Sequence, residues 1–189
     1  KPPKAKHVIY LFQNGAPTHV DLFDYKPKLR ELHGKSVPDG YVAGKRFSTM
    51  TGGQTVRPCL PEVTKFSRHG QSGAWVSELL PELAKRVDDL CIIRSMHGIN
   101  PAHGGALLKL HTGSDTFVRP SMGSWVSYGL GSENTDLPAF ITICPTLAHG
   151  GVNNWGSAFL PAWAQGTPLG NASVSAEQTL SRNAFTLPR

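Results

Sequence analysis

Three short apolar runs, the first two closed by polar turns, constrain this chain more than any other feature of its sequence. His7-Val8-Ile9-Tyr10-Leu11-Phe12-Gln13 is continuous in its apolar character and rich in β-formers, which predicts a strand buried on both faces. Leu90-Cys91-Ile92-Ile93 and Ala139-Phe140-Ile141-Thr142-Ile143-Cys144 read as two more strands. Asn14-Gly15-Ala16-Pro17-Thr18 ends the first run and Arg94-Ser95-Met96-His97-Gly98 the second, and both are turn signals. None of the runs approaches the ~20 apolar residues with which a helix crosses a bilayer, so no membrane span is expected.

Between these runs the period becomes helical. Leu79, Leu80, Leu83 and Val87 share one helix face, with Pro81 tolerable only in the first turn, which predicts a helix of about two to three turns. Ala106 to His111 predicts a helix closing at Thr112-Gly113, and Ser121 caps another that carries Met122, Trp125 and Val126 before Gly129. Lys26 to Leu32 predicts a short helix, whereas Val37 to Arg57 has no clear period and reads as an irregular excursion with room for one hairpin. After Pro145 no periodic segment appears, so Trp155 to Pro188 reads as loop. Strand, excursion, helix, strand, two helices, strand is the grammar of an α/β parallel sheet with right-handed crossovers.

Composition narrows the class. At 189 residues and 39% hydrophobic, the chain is long enough for one domain with a real core. Its 20 Gly and 15 Pro follow no G-x-y period, which excludes collagen and favours a loop-rich globular protein. The formal charge is +6, but no dense basic run with interleaved aromatics occurs, so no nucleic-acid partner is expected. Cys59, Cys91 and Cys144 are odd in number and lack C-x-x-C spacing, so neither a disulfide framework nor a zinc ribbon follows, and burial is the default for Cys91 and Cys144. Because the first residue is Lys1 and not Met, an upstream targeting segment is expected to have been removed or left out.

In a parallel sheet the strand ends converge on one edge, which would gather His19, His97, His103 and His149. With Asn14, Asp21 and Asp24 these side chains could form a histidine and carboxylate metal cluster, since imidazole and carboxylate suit zinc, manganese or iron. A plainer reading fits the same residues: loop histidines bonded to backbone, and Asp21 and Asp24 as turn and helix-cap residues. Gly70-Gln71-Ser72-Gly73-Ala74 lacks the final glycine of a nucleophile elbow, and Gly129-Leu130-Gly131-Ser132 is no dinucleotide fingerprint. Trp75, Trp125, Trp155 and Trp163 fit core or rim packing, or a sugar platform.

Several strings taken together add a resemblance. His7 to Pro27 with its Asn14-Gly15-Ala16-Pro17-Thr18-His19-Val20-Asp21 centre, His69-Gly70-Gln71-Ser72-Gly73-Ala74-Trp75, Asp88-Asp89-Leu90-Cys91-Ile92-Ile93, His111-Thr112-Gly113-Ser114 and Arg119-Pro120-Ser121-Met122-Gly123-Ser124-Trp125 resemble the DUF1501 family. These are sulfatase-like proteins of planctomycetes and related bacteria, placed in the alkaline phosphatase superfamily. On this basis residues 1–6 form a basic lead, 7–173 the N-terminal part of the sulfatase-like domain, and 174–189 an unassigned tail.

The resemblance implies an α/β fold, namely the N-terminal part of an alkaline-phosphatase-like sheet with helices on both faces. It also implies hydrolysis of sulfate or phosphate esters with a divalent metal, zinc, manganese or calcium, as Lewis acid and nucleophile activator. Carried over residue by residue, it puts Asn14 where the superfamily has its first metal-binding Asp, and makes Asn14, His19, Asp21 and His97 the metal edge. Counting back from Thr112-Gly113 by the sulfatase spacing lands on His103 as the catalytic position, a phosphoryl-accepting or metal-binding imidazole with no hydroxyl or thiol. The sulfatase Cys-x-Pro-x-Arg signature is absent. Twin-arginine export is common among such proteins and implies a periplasmic or secreted location. The alternative is a non-catalytic exported binding or surface protein of the same fold, with sulfated polysaccharide as partner.

Overall fold

The structure is a computed structural model that describes residues 5–15, 17–175 and 177–179, so part of the basic lead and most of the tail lie outside it. Two compact units divide the chain, residues 1–97 and 98–189.

The first unit opens on irregular chain. Single helical turns follow at α1 (Lys28–Glu31) and α2 (Asp39–Val42), and then an antiparallel hairpin of β1 (Phe66–His69) and β2 (Ala74–Ser77), with Phe66 opposite Ser77 and His69 opposite Ala74. The hairpin reverses through Gly70 and Gly73, whose φ values of 68° and 62° lie where side chains other than glycine's are strained. Asp88 holds that turn closed, accepting the Gln71 N–H at 2.7 Å and the Ser72 N–H at 3.0 Å. It stands in a 3-10 turn, Val87–Asp89, just after α3 (Pro81–Ala84). One face of the hairpin packs Val76 against Ala84 and Val87, joined by Phe23, Ala74, Leu80 and Ile92. The other carries Phe66 and Trp75, on which Tyr25 stacks with ring centroids 5.1 and 4.7 Å away, and the Arg68 guanidinium lies 5.1 Å from the Trp75 ring.

Here the sequence expectations need correction. Neither His7 to Gln13 nor Leu90 to Ile93 is a strand; both are irregular and largely exposed, Leu11 to 89%, and Cys91 is exposed as well. A strand buried on both faces exists only where neighbours take up its N–H and C=O groups, and apolar composition supplies no such neighbour. The helix of about two to three turns expected after Ser77 is one turn of α-helix, with Pro81 in its first turn, followed by the 3-10 turn. The excursion of residues 37–57 holds α2 and no hairpin; the hairpin lies at Phe66 to Ser77, which periodicity passes over because each strand has only four residues.

In the second unit, α4 (His103–Thr112) ends as predicted at Gly113, which takes φ 78° and returns its N–H to the Lys109 carbonyl. The next helix, α5 (Met122–Leu130), is capped by Ser121, whose hydroxyl accepts the Ser124 N–H at 3.3 Å. The third predicted strand is present in shortened form as β3 (Ile141–Ile143), parallel to β4 (Thr167–Leu169) with Ile141 opposite Thr167. β4 comes from the stretch expected to be loop. Three residues with a central proline, Pro168, carry no period to read.

α5 packs with its polarity reversed. Ser121, Ser124 and Ser127 are buried, Ser124 to 0% exposure, while Met122, Trp125, Val126, Tyr128 and Leu130 face outward. The Gly156 carbonyl accepts both the Ser121 N–H and the Ser124 hydroxyl at 3.0 Å. The Phe140 ring fills the space beside Gly123 and Gly166, and a Cβ on Gly166 would stand 2.8 Å from it. Trp155 is buried, unlike Trp125 and Trp163. The whole is mixed α/β, built on two two-stranded sheets, and among the described residues no helix is long and apolar enough to cross a membrane.

Backbone N–H groups of Ser72 and then Gln71 hold the Asp88 carboxyl below the usual carboxylate range. Its stabilising contribution is therefore complete above the ordinary value of 3.8 and is lost as pH falls through the lower folded value. Thermal melts of Asp88→Asn against the parent are expected to differ at neutral pH and to converge in acid. Gly123→Ala drives a methyl into the Phe140 ring and is expected to destabilise the chain by about 1–3 kcal/mol in chemical denaturation.

Candidate histidine site at the start of the fourth helix

The predicted metal edge lies in the first unit and does not assemble. Asn14 is exposed in a turn, and His97 is exposed in irregular chain at that unit's end. Asp21 accepts the Val63 N–H on its Oδ1 at 2.9 Å, a structural bond to a distant segment and not the local turn or helix cap of the plainer reading. His19 is brought near one carboxylate, Asp24, at 3.6 Å, but the buried Asp24 is already paired with Lys26 at 2.9 Å. Among the described residues, no three His, Cys, Asp or Glu side chains gather into a set able to hold a metal ion. Asn14, His19, Asp21 and His97 as placed therefore do not fit a divalent ion.

The second unit does bring two histidines together. His103 opens α4, and its ring meets that of His149 with centroids 5.5 Å apart and planes inclined at 55°. Gly104, directly after His103, runs beside His149: a Cβ there would stand 3.8 Å from the His149 Cα, an ordinary contact. Gly105 is glycine because the Asn100 amide occupies the place its Cβ would take. Asn100 in turn accepts the Ala102 N–H at 3.0 Å and donates to Asp115 at 2.9 Å, and that bond holds the Asp115 carboxyl below its usual range.

His149 sits in the loop leaving the C-terminal end of β3 and takes φ 58°, in the left-handed region that a non-glycine residue adopts only under constraint. Cys144, at the start of the same loop, takes φ 47°. Asn154 supplies the constraint. Its Nδ2 donates to the carbonyls of His149 and Gly151, each at 3.1 Å, while its Oδ1 lies 2.9 Å from Nδ1 of His111, farther along α4. One amide thus ties the loop to the helix. Non-glycine residues held in such conformations concentrate at functional sites, where neighbours over-determine them.

Chemically, the pair lies beyond the carboxyl end of a parallel strand and at a helix N-terminus, where unpaired N–H groups and the helix dipole favour an anion. Both imidazoles are exposed and can each donate, accept or carry a proton. Of the four histidines expected at the strand ends, His103 and His149 meet here and His19 and His97 do not; Asn154 lies in a stretch whose sequence has no period to mark it.

Residues 5–187 match the family described as protein of unknown function (DUF1501), and the chain belongs to that family. No curated protein and no solved structure matches it.

Asn154→Ala removes the bonds that hold the loop. It is expected to cost about 1–3 kcal/mol in denaturant unfolding and to broaden the His149 ring resonances in NMR spectra, whereas His149→Gly relieves the strained φ and is expected to leave stability nearly unchanged.

Proposed function

We propose that this chain is a sulfatase-like hydrolase domain that binds the anionic group of a sulfate or phosphate ester against the exposed edges of His103 and His149. The observation that carries the reading is the contact of these two imidazoles, 5.5 Å apart, at the start of α4. Membership in the family and the motif resemblance to the alkaline phosphatase superfamily support it. The finer fold, an alkaline-phosphatase-like sheet with helices on both faces, goes with the same proposal, as do an exported location and sulfated polysaccharide as a natural source of the ester.

The two histidines divide the work. The N–H groups at the start of α4 and a protonated His149 draw the ester's negative oxygens. His103, neutral, takes a proton from a water whose oxygen attacks sulfur or phosphorus. The bond from that atom to the ester oxygen breaks, its electron pair leaves with the alcohol oxygen, and His149 supplies the proton. Transfer of a proton from His103 back to His149 through solvent resets the pair. No step runs through a metal, because the expected ligands do not fit one.

A second reading, a non-catalytic binding protein of the same fold, draws on one observation: the position that the resemblance assigns to the nucleophile is an imidazole, His103. Hydrolysis of 4-nitrophenyl sulfate and 4-nitrophenyl phosphate, with and without added manganese, zinc or calcium, separates the two. The hydrolase reading expects turnover that falls by about 10²–10⁴-fold in His103→Gln and in His149→Gln. Turnover that is absent, or unchanged in both variants, overturns it and leaves the binding reading.

A further inference from the structure

We propose that the outward face of α5 is where two copies of this chain meet in a symmetric dimer. Trp125 contacts Phe159 at 5.9 Å and Tyr128 at 6.3 Å, both edge to face, and Tyr128 stacks on Trp163 at 5.9 Å with only 22° between the planes. All four rings are open to solvent, Trp125 to 47%, Tyr128 to 48%, Phe159 to 71% and Trp163 to 62%, and the exposed Met122, Val126 and Leu130 extend the apolar surface along the helix. An ordinary surface helix buries such residues and turns its serines outward. α5 does the reverse, and on its packed side the buried Ser127 hydroxyl has no hydrogen-bond partner.

The extent of the face calls for a protein partner. With roughly 150–250 Å² for each fully open side chain of these types, the seven exposures sum to about 800 Å². That exceeds the roughly 300–600 Å² of the largest apolar patch on a typical monomer and equals what a standard interface takes from each partner, about 800 Å². Composition then narrows the partner. Interfaces between proteins that also exist apart are about 56–58% apolar, hardly different from the rest of the surface, whereas homodimer interfaces reach about 65% and exclude charge from their centre. The face is made of Met, Trp, Val, Tyr, Leu and Phe, and neither Met122–Leu130 nor residues 159–163 contain an acidic or basic residue. A surface of that composition belongs with the homodimers.

Symmetry imposes a further condition, and the face meets it. A two-fold contact presses one patch against its own copy, so a charge near its centre would meet the same sign. A different protein would impose no such condition, since it could answer each charge with its opposite. Aromatic rings are complementary to themselves, because the edge of one ring packs on the face of another. Within residues 98–189, Lys109, Arg119, Arg182 and Arg189 are matched by Asp115, Glu133, Asp136 and Glu177, so the net +6 belongs to residues 1–97 and the unit bearing the face meets its copy without net repulsion. Since the same patch serves both copies, the assembly closes at two.

Analytical ultracentrifugation of the whole chain is the test. The expected result is a dimer with a Kd of about 1 µM or tighter that survives about 1 M salt. Trp125→Glu and Trp163→Glu, with circular dichroism like the parent's, should each weaken it about 100-fold or more, while Met50→Glu, at a position 90% exposed in the first unit, should leave it intact. On dilution the parent's tryptophan emission should shift to the red as Trp125 and Trp163 return to water, a readout that needs no variant. The His103→Gln variant should dimerise like the parent, which keeps this outcome separate from the hydrolase reading. A chain that stays monomeric at about 100 µM overturns the proposal, whether or not it adsorbs to phosphatidylcholine vesicles or binds another protein through these rings. So does a dimer that persists unchanged in both glutamate variants, a dimer that salt dissolves, or an assembly that grows beyond two.

Discussion

The second unit depends on a single backbone acceptor. The Gly156 carbonyl takes the Ser121 N–H and the Ser124 hydroxyl together, which joins the first turn of α5 to a loop more than thirty residues away in sequence. Buried polar groups cost free energy unless bonded, and this carbonyl satisfies the Ser121 and Ser124 end of the buried serine face, while the Ser127 hydroxyl one turn on is left without a partner. Once serines face in, the register of a 3.6-residue helix sends Trp125 and Tyr128 out. The exposed aromatic row and the buried polar face are thus one fact seen from two sides.

The first unit relies on a different device with the same logic. Its hairpin strands have four residues each, too few to hold a register by side-chain pattern alone. Asp88 reaches from the 3-10 turn after α3 to cap the two N–H groups at the hairpin tip. The same short segment brings Val87 into the core beside Val76. Tip and core are fixed by adjacent residues, which explains why the chain after α3 departs from a longer helix.

What could be read from the sequence follows from how local each signal is. Ser121 as a cap, Gly113 as a helix terminator and Pro81 in a first turn were legible because each satisfies or forbids a hydrogen bond within its own turn. Strand assignments fared worse, because pairing is non-local. His7 to Gln13 has ideal strand composition and no ladder, whereas Thr167-Pro168-Leu169 has poor composition and does have one. At the candidate site, His103 and His149 were legible as histidines beside predicted element ends. The burial of Asp24 and the use of Asp21 by the Val63 N–H were not, since both depend on where the chain returns. Asn154 was invisible for the same reason: its worth lies in reaching three groups from one amide.

The slot around Phe140 carries an implication for variation among proteins of this shape. Both glycines beside the ring, Gly123 and Gly166, contribute no rotamers, so closing the slot freezes no side chain but the phenylalanine's, while the glycines give up backbone freedom instead. The fit is therefore cheap in side-chain entropy and intolerant in geometry. A smaller residue at position 140 leaves a void that neither glycine can swell to fill, and a larger one at 123 or 166 has nowhere to turn. The three positions are energetically coupled, so they should drift as a trio, with Phe140 yielding bulk only when one of its glycines gains it.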